Sequence, residues 1–370
     1  MFRTRDLIRA TVKRITPYSP GKSSAEVTKE LGITEVTKLA SNENPLGPSP
    51  LAIEAMQKAA AEVFVYPDPL CVELTGALAN HLQVLPETVL VGRGSDEVIS
   101  MLGLAFVNPG DQVMFSQYPF ALYPLTAWIT DAQAVEVPAR GFEHDLEAMA
   151  RAITPRTKLI FIGNPCNPTG TIIPADQMAD FMQKVPNHVV VVFDEAYFEY
   201  VDDPSYPDCL SYVRQGRRVA VLRTFSKAYA LAGLRIGYGA CGRSVAEALK
   251  LVRAPFNVSS IAQAAALASL QDPNQVARSV KMVAEGKAYL YQQCDELGLQ
   301  YVPTQGNFML IDTGRDSRWM FDALMRRGVT VRTGDIFGLP TWVRVTIGTG
   351  EQNGRFIAAL TEALKEPSSL

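Results

Sequence analysis

"TFSKAYALAGLRIGYG", residues 224–239, places Lys227 directly after two hydroxyl-bearing residues, Thr224 and Ser226, with Arg235 eight positions further on. Apolar runs flank it, "RVAVLRTF" (218–225) before and "RIGYGAC" (235–241) after. The stretch therefore reads as a polar loop joining two buried strands. A lysine in a loop is ordinarily a solvated charge. An amine can also form a Schiff base with an aldehyde, and a neighbouring cation helps to depress its pKa. Thr224, Ser226 and Arg235 are the groups that would hydrogen-bond and neutralise a phosphate beside such an amine. Whether they do so depends on what the rest of the chain brings to the loop.

Five further short runs precede it: "TVLVG" (88–92), "QVMFS" (112–116), "QAVEVP" (133–138), "KLIFIG" (158–163) and "HVVVVF" (188–193). They are too short for helices and rich in β-branched residues. Several lack the alternation of a half-exposed strand, as expected for a sheet covered on both faces. Helix-period segments such as 95–106 and 175–184 lie between them, so the class is α/β. Residues 1–15 and 261–297 read as helical, followed by strands "NFMLID" (307–312), "VTVR" (329–332) and "WVRVTIG" (342–348), with helices near 316–327 and at the end. The division expected is a large domain over 48–257 and a smaller α+β domain built from both chain ends, 1–47 and 258–370. A chain of 370 residues exceeds the usual limit for one core, which agrees.

The formal net charge of −3 argues against nucleic acid or an anionic membrane as partner, so any bound anion must be caught by a local site. Five scattered cysteines without a C-x-x-C spacing suit free thiols in a reducing compartment. The first residues alternate charge with apolar side chains, unlike a signal peptide, and no apolar run is long enough to cross a bilayer. A cytoplasmic location is expected. Three histidines, His81, His144 and His188, stand apart without metal-ligand spacing, and no metal is expected.

Three other motifs carry chemistry. In "VGRGSDEV" (91–98), Gly92 and Gly94 permit a sharp turn and the amides of Ser95 and Asp96 open a helix, whose N-terminus attracts an anion. A plain serine cap would look the same. In "FDEAYFEY" (193–200), Asp194 ends the most apolar strand, where α/β sheets place ligands and where an unpaired carboxylate is costly. It could equally cap the next turn of the chain. "GNPCNPTG" (163–170) sets Asn167 before a proline in a rigid loop. Taken together, a phosphate cradle, an amine, a carboxylate and an arginine describe what pyridoxal phosphate requires of a protein.

The ordered set "LASNENPLGPSP" (39–50), "YPDP" (66–69), "GRGSDE" (92–97), "NPCNPTG" (164–170), "FDEAY" (193–197), "TFSKAYALAGLR" (224–235) and "VRVTIG" (343–348) resembles the fold type I aminotransferases, and within them the histidinol-phosphate aminotransferase family. The likeness runs from "PYSPGK" near Tyr18 to the last helix. It implies a mostly parallel seven-stranded sheet between helices, pyridoxal 5'-phosphate as cofactor, and a homodimer with shared active sites. It also implies amino transfer from L-glutamate to imidazole-acetol phosphate, as in histidine biosynthesis. Lys227 would carry the cofactor and shuttle the proton, and Asp194 would pair with the ring nitrogen. Tyr197 and Asn167 would bind the phenolic oxygen. Gly94, Ser95, Asp96, Thr224, Ser226 and Arg235 would hold the phosphate, joined by Tyr66 from the partner subunit, and Phe120 would stack on the ring. Arg344 matches the clamp for the substrate carboxylate, while Tyr18 and Arg332 match positions for the substrate's own phosphate; Asn42 and Asn167 also line the substrate site. Arg332 could instead pair with an acid such as Asp335. Cys166 stands where the family more often has Asn or His, and Phe120 lacks a hydroxyl found in some relatives. An aromatic aminotransferase, a pyridoxal-phosphate decarboxylase or a cofactor-binding sensor domain would use nearly the same motifs.

Overall fold

The computed structural model describes residues 7–15, 24–32 and 35–367. Its centre is a seven-stranded sheet in the spatial order Val89–Gly92, Gly237–Cys241, Val219–Thr224, Val190–Asp194, Thr157–Gly163, Gln112–Ser116, Gln133–Val137. Strand Gly237–Cys241 runs antiparallel to both neighbours, and the other pairs are parallel. Its direction is set by the short segment 225–236 that precedes it, which turns the chain back at the edge it has just reached.

Alternate residues of these strands enter two separate cores. Val191, Phe193, Val219 and Val221 join one cluster with the helices Val72–Leu82 and Ala175–Lys184. Val190, Val192, Ala220 and Leu222 join the other with Ser95–Phe106 and Arg243–Val252. The period-two geometry of a strand thus accounts for runs that are apolar on both faces.

A third core lies under a four-stranded antiparallel sheet ordered Arg332–Thr333, Trp342–Thr346, Phe308–Asp312, Gln300–Val302. Helices Pro273–Leu297, Ser317–Arg326 and Gly350–Lys365 cover it. The helical reading over 261–297 resolves into two helices, Ser260–Leu270 and Pro273–Leu297; Asp272 caps the second and Pro273 occupies its first turn. The buried face of Ser260–Leu270, with Ala262, Ala265 and Ala266, belongs to the large-sheet core.

Of the helix expected over 1–15, residues 7–15 are described. Leu7 is helical and Val12–Arg14 form a 3-10 turn, with Leu7 79% and Val12 39% exposed. No helix among the described residues is long and apolar enough to cross a membrane.

Candidate active site

Every parallel strand of the large sheet ends at one edge, and the loops there bring the motifs together. Gly163 lies level with Asp194, Asp194 with Leu222, and both Thr224 and Gly92 with Gly237. This carboxyl edge is where open α/β sheets bind ligands.

Gly94 has φ 83° and ψ 167° and precedes helix Ser95–Phe106. Only glycine adopts that backbone readily. A Cβ at Gly237 would lie 2.5 Å from the Ser95 nitrogen, so a second glycine lets the strand pass against the helix start. Arg235, itself at φ 53°, reaches Ser226 Oγ at 3.4 Å through one guanidinium nitrogen and Asp96 Oδ1 at 3.1 Å through the other. Ser226 N donates to Thr224 Oγ1 at 3.0 Å, which fixes the turn before Lys227. Helix amides, hydroxyls and guanidinium cluster here, with anion-binding chemistry. The Asp96 side chain is turned to Arg235, so toward an anion this residue offers its main-chain N–H.

Lys227 Nζ donates to the Ser41 carbonyl at 3.2 Å and lies 5.8 Å from the centre of the Tyr197 ring. Burial, followed by the positive charge of Arg344, lowers its pKa to about 8. An amine so placed is neutral in about a tenth of molecules at pH 7, far more than an ordinary lysine, and so able to act as nucleophile or base. Asp194 is nearly buried and accepts from the Tyr123 hydroxyl at 2.8 Å through Oδ2, while Oδ1 has no partner among the described residues. Burial raises its pKa to about 6, against the pull of the Tyr123 hydroxyl.

Tyr197 Oη accepts from Asn42 Nδ2 at 3.0 Å and from Asn167 Nδ2 at 3.3 Å. Asn167 Oδ1 in turn accepts from Arg344 at 2.5 Å, and Arg344 also reaches the Ala40 carbonyl at 2.9 Å. Both Asn–Pro bonds of the "NPCNP" loop are cis. Arg332 stands directly opposite Arg344 in the antiparallel pair, so both side chains leave the same face of the small sheet. Asp335, the acid near Arg332 in sequence, forms its ion pair with Arg318 at 2.6 Å.

Phe120 packs edge-on against Tyr123, ring centres 5.8 Å apart. Tyr66 lies outside this cluster: it is 79% exposed, stacks on Phe256, and belongs to an exposed apolar run with Val63, Phe64 and Val65. Tyr18 falls outside the described residues.

Sequence reasoning missed Tyr123, which no motif announces, and the ion pair beneath the site. Glu195 comes next after Asp194 and so faces the opposite way, where Arg223 meets it at 2.9 Å while lying 3.4 Å over the Phe198 ring. Strand alternation at "FDEAY" was the available signal for that pair.

Known proteins share this chain's sequence and fold over nearly its whole length. The family described as Aminotransferase class I and II matches residues 34–360. A histidinol-phosphate aminotransferase of Moorella thermoacetica is 51% identical over 96% of this chain and 92% of its own length. One of Akkermansia muciniphila is 47% identical over 95% and 97%. The crystal structure of histidinol-phosphate aminotransferase from Sinorhizobium meliloti in complex with pyridoxal-5'-phosphate superposes with a TM-score of 0.88 at 28% identity, covering 97% of each chain.

Proposed function

We propose that this chain, which belongs to the class I and II aminotransferase family, is a pyridoxal-phosphate-dependent histidinol-phosphate aminotransferase exchanging amino groups between L-glutamate and imidazole-acetol phosphate. The cofactor reading rests on fit. A neutralisable amine, a buried carboxylate oxygen without a partner among the described residues, and a phosphate-sized set of donors converge on the carboxyl edge of the sheet. Lys227 would link the cofactor aldehyde, Asp194 Oδ1 would face the ring nitrogen, and Tyr197 with Asn167 would bind the phenolic oxygen. Ser95, Thr224, Ser226, Arg235 and the amide of Asp96 would hold the phosphate, with Phe120 against the ring.

When bound, pyridoxal phosphate supplies an electron sink that stabilises the charge left as the substrate's α-proton departs. The chain's residues do the rest. Lys227, once free of the cofactor, would take the α-proton and deliver one to the cofactor's former aldehyde carbon, across the substrate nitrogen, its lowered pKa leaving it free to accept. Arg344, anchored by Asn167 and the Ala40 carbonyl, receives the substrate carboxylate in a two-pronged contact.

The observation that carries the substrate reading is the direct opposition of Arg332 and Arg344. Like charges placed face to face on a sheet are unfavourable in themselves. Together the two guanidiniums suit the dianionic phosphate of imidazole-acetol phosphate, which has no carboxylate, in one half-reaction and the carboxylates of L-glutamate in the other, since a planar guanidinium takes either anion. Tyr18, by resemblance, shares the phosphate with Arg332.

The exposed run Val63–Tyr66 supports a homodimer in which Tyr66 completes the partner's phosphate site. The domain division is proposed as expected, 48–257 against both chain ends, with residues 258–270 moved to the large domain because their buried face packs there. A cytoplasmic location completes the reading.

The test is a comparison of kcat/KM with L-glutamate as donor and imidazole-acetol phosphate, phenylpyruvate or 4-hydroxyphenylpyruvate as acceptor. The phosphorylated acceptor is expected to lead. Equal or better turnover of the aromatic acids would replace this reading with an aromatic aminotransferase.

A further inference from the structure

We infer that Tyr123 is a positioning residue for Asp194: its hydroxyl occupies Oδ2, so that Oδ1 alone is presented to the cofactor's ring nitrogen. This rests on the cofactor reading above and adds a residue to it.

The phenol is held from several sides. Tyr123 lies in the first turn of helix Leu122–Ile129 and is 5% exposed. Its ring lies parallel to Phe161 at 4.7 Å, with 4° between planes, and Phe120 closes it edge-on from another side. Phe161 is fully buried on the strand adjacent to that of Asp194. Gly163, level with Asp194, borders the phenol, and a Cβ there would meet the Tyr123 oxygen at ordinary contact distance, 3.4 Å. Stacked on one face and met edge-on by Phe120, the ring places its hydroxyl 2.8 Å from Asp194 Oδ2.

This contact does two things. The first is orientation, since a carboxylate held at one oxygen can rotate only at the cost of that bond. The second is charge. Burial disfavours ionised Asp194, as do the nearby carboxylates of Glu195 and Asp96, while the Tyr123 hydroxyl and the Ala196 amide favour it. Lys227 also faces it with opposite charge, and Tyr197 lies alongside. The phenol itself stays protonated, because burial and the same carboxylate push its pKa well up. It is thus a permanent neutral donor, which stabilises the anion without cancelling the charge that the ring nitrogen needs.

The decisive experiment separates orientation from bulk. The full chain, stripped of cofactor, is titrated with pyridoxal phosphate and with its deaza analogue, in which the ring nitrogen is replaced by CH. The wild type is expected to prefer the natural cofactor. Tyr123→Phe keeps the ring stack and should reduce that preference roughly 10-fold or more, the size of one lost hydrogen bond to a charged group. A merely structural loss would weaken both ligands equally and leave their ratio unchanged, which would overturn the inference. The Asp194→Asn background provides an independent check. There the addition of Tyr123→Phe should leave the ratio where Asp194→Asn alone put it, and a further independent loss would overturn it too. Failure of the wild type to bind pyridoxal phosphate at all would sink the underlying cofactor reading instead. Binding without discrimination would refute the contact between Asp194 and the ring nitrogen, and Tyr123's role with it.

Discussion

Replacing Arg332 by alanine should weaken the hold on a substrate phosphate and leave Arg344 able to bind the carboxylate of an amino-acid substrate. Arg332 and Arg344 are cross-strand partners whose side chains share a face, but their settings differ. Arg344 is 7% exposed and anchored by Asn167 and Ala40, whereas Arg332 is only half-buried at the sheet edge. Truncating one member of a buried, hydrogen-bonded charge pair costs about 2–5 kcal/mol. The partial exposure of Arg332 places it toward the lower end, about 2–3 kcal/mol, or roughly 30- to 150-fold in kcat/KM for histidinol phosphate. Phenylalanine, which has a single carboxylate and no phosphate, should lose less than about threefold, because its carboxylate still meets Arg344. L-Glutamate should also lose much less than histidinol phosphate. Arg332→Lys should recover part of the loss, since it restores the charge but not the planar fork. Stopped-flow half-reactions with each amino donor measure all of these. Equal losses for histidinol phosphate and phenylalanine would refute the reasoning, for then Arg332 serves the site as a whole.

Lys227→Ala should abolish turnover while the fold is kept, as circular dichroism would report; residual activity above background would remove Lys227 from its role. Mixing Tyr66→Ala with Lys227→Ala chains should restore activity through hybrid dimers with one intact site, and no recovery after demonstrated subunit exchange would count against a shared site. In the cofactor-free protein Asp194→Asn should be stabilising above pH 6 and neutral near pH 4. The native pKa of about 6 exceeds the unfolded value of roughly 3.9, so the folded chain binds the extra proton. Stability is then lost as pH rises through 6, by up to about 3 kcal/mol, and the amide avoids that loss. Thermal melts of both proteins across that range check it, and an amide variant less stable at pH 7.5 would contradict it.

The large sheet is legible in the sequence because its strands are buried on both faces: seven apolar runs coincide, within a residue or two at each end, with the seven strands. What the runs could not convey was direction, since strand Gly237–Cys241 is antiparallel through a turn that only three dimensions display. The alanine-rich face of helix Ser260–Leu270 likewise carries no mark of which core it joins. Within the site, residues in tight motifs such as Lys227, Asp194 and Asn167 stand out because glycines, prolines and hydroxyls surround them. Tyr123 sits in an apolar helix where a tyrosine looks like core. Its meaning comes from a partner 71 positions away, and no local pattern encodes such a pairing. Asp335, near Arg332 in sequence, pairs with Arg318 because the turn at 335–337 aims it at the neighbouring helix start.

The central claim is that Lys227 holds the cofactor and that a phosphorylated amine displaces it. Borohydride reduction of the cofactor-loaded enzyme, followed by peptide mass mapping, tests both parts at once. One pyridoxyl group per chain is predicted, on Lys227, and prior incubation with L-histidinol phosphate should leave that lysine unlabelled while phenylalanine at the same concentration leaves most of it labelled. Label on a different lysine, or clearance by phenylalanine as complete as by histidinol phosphate, would contradict the account.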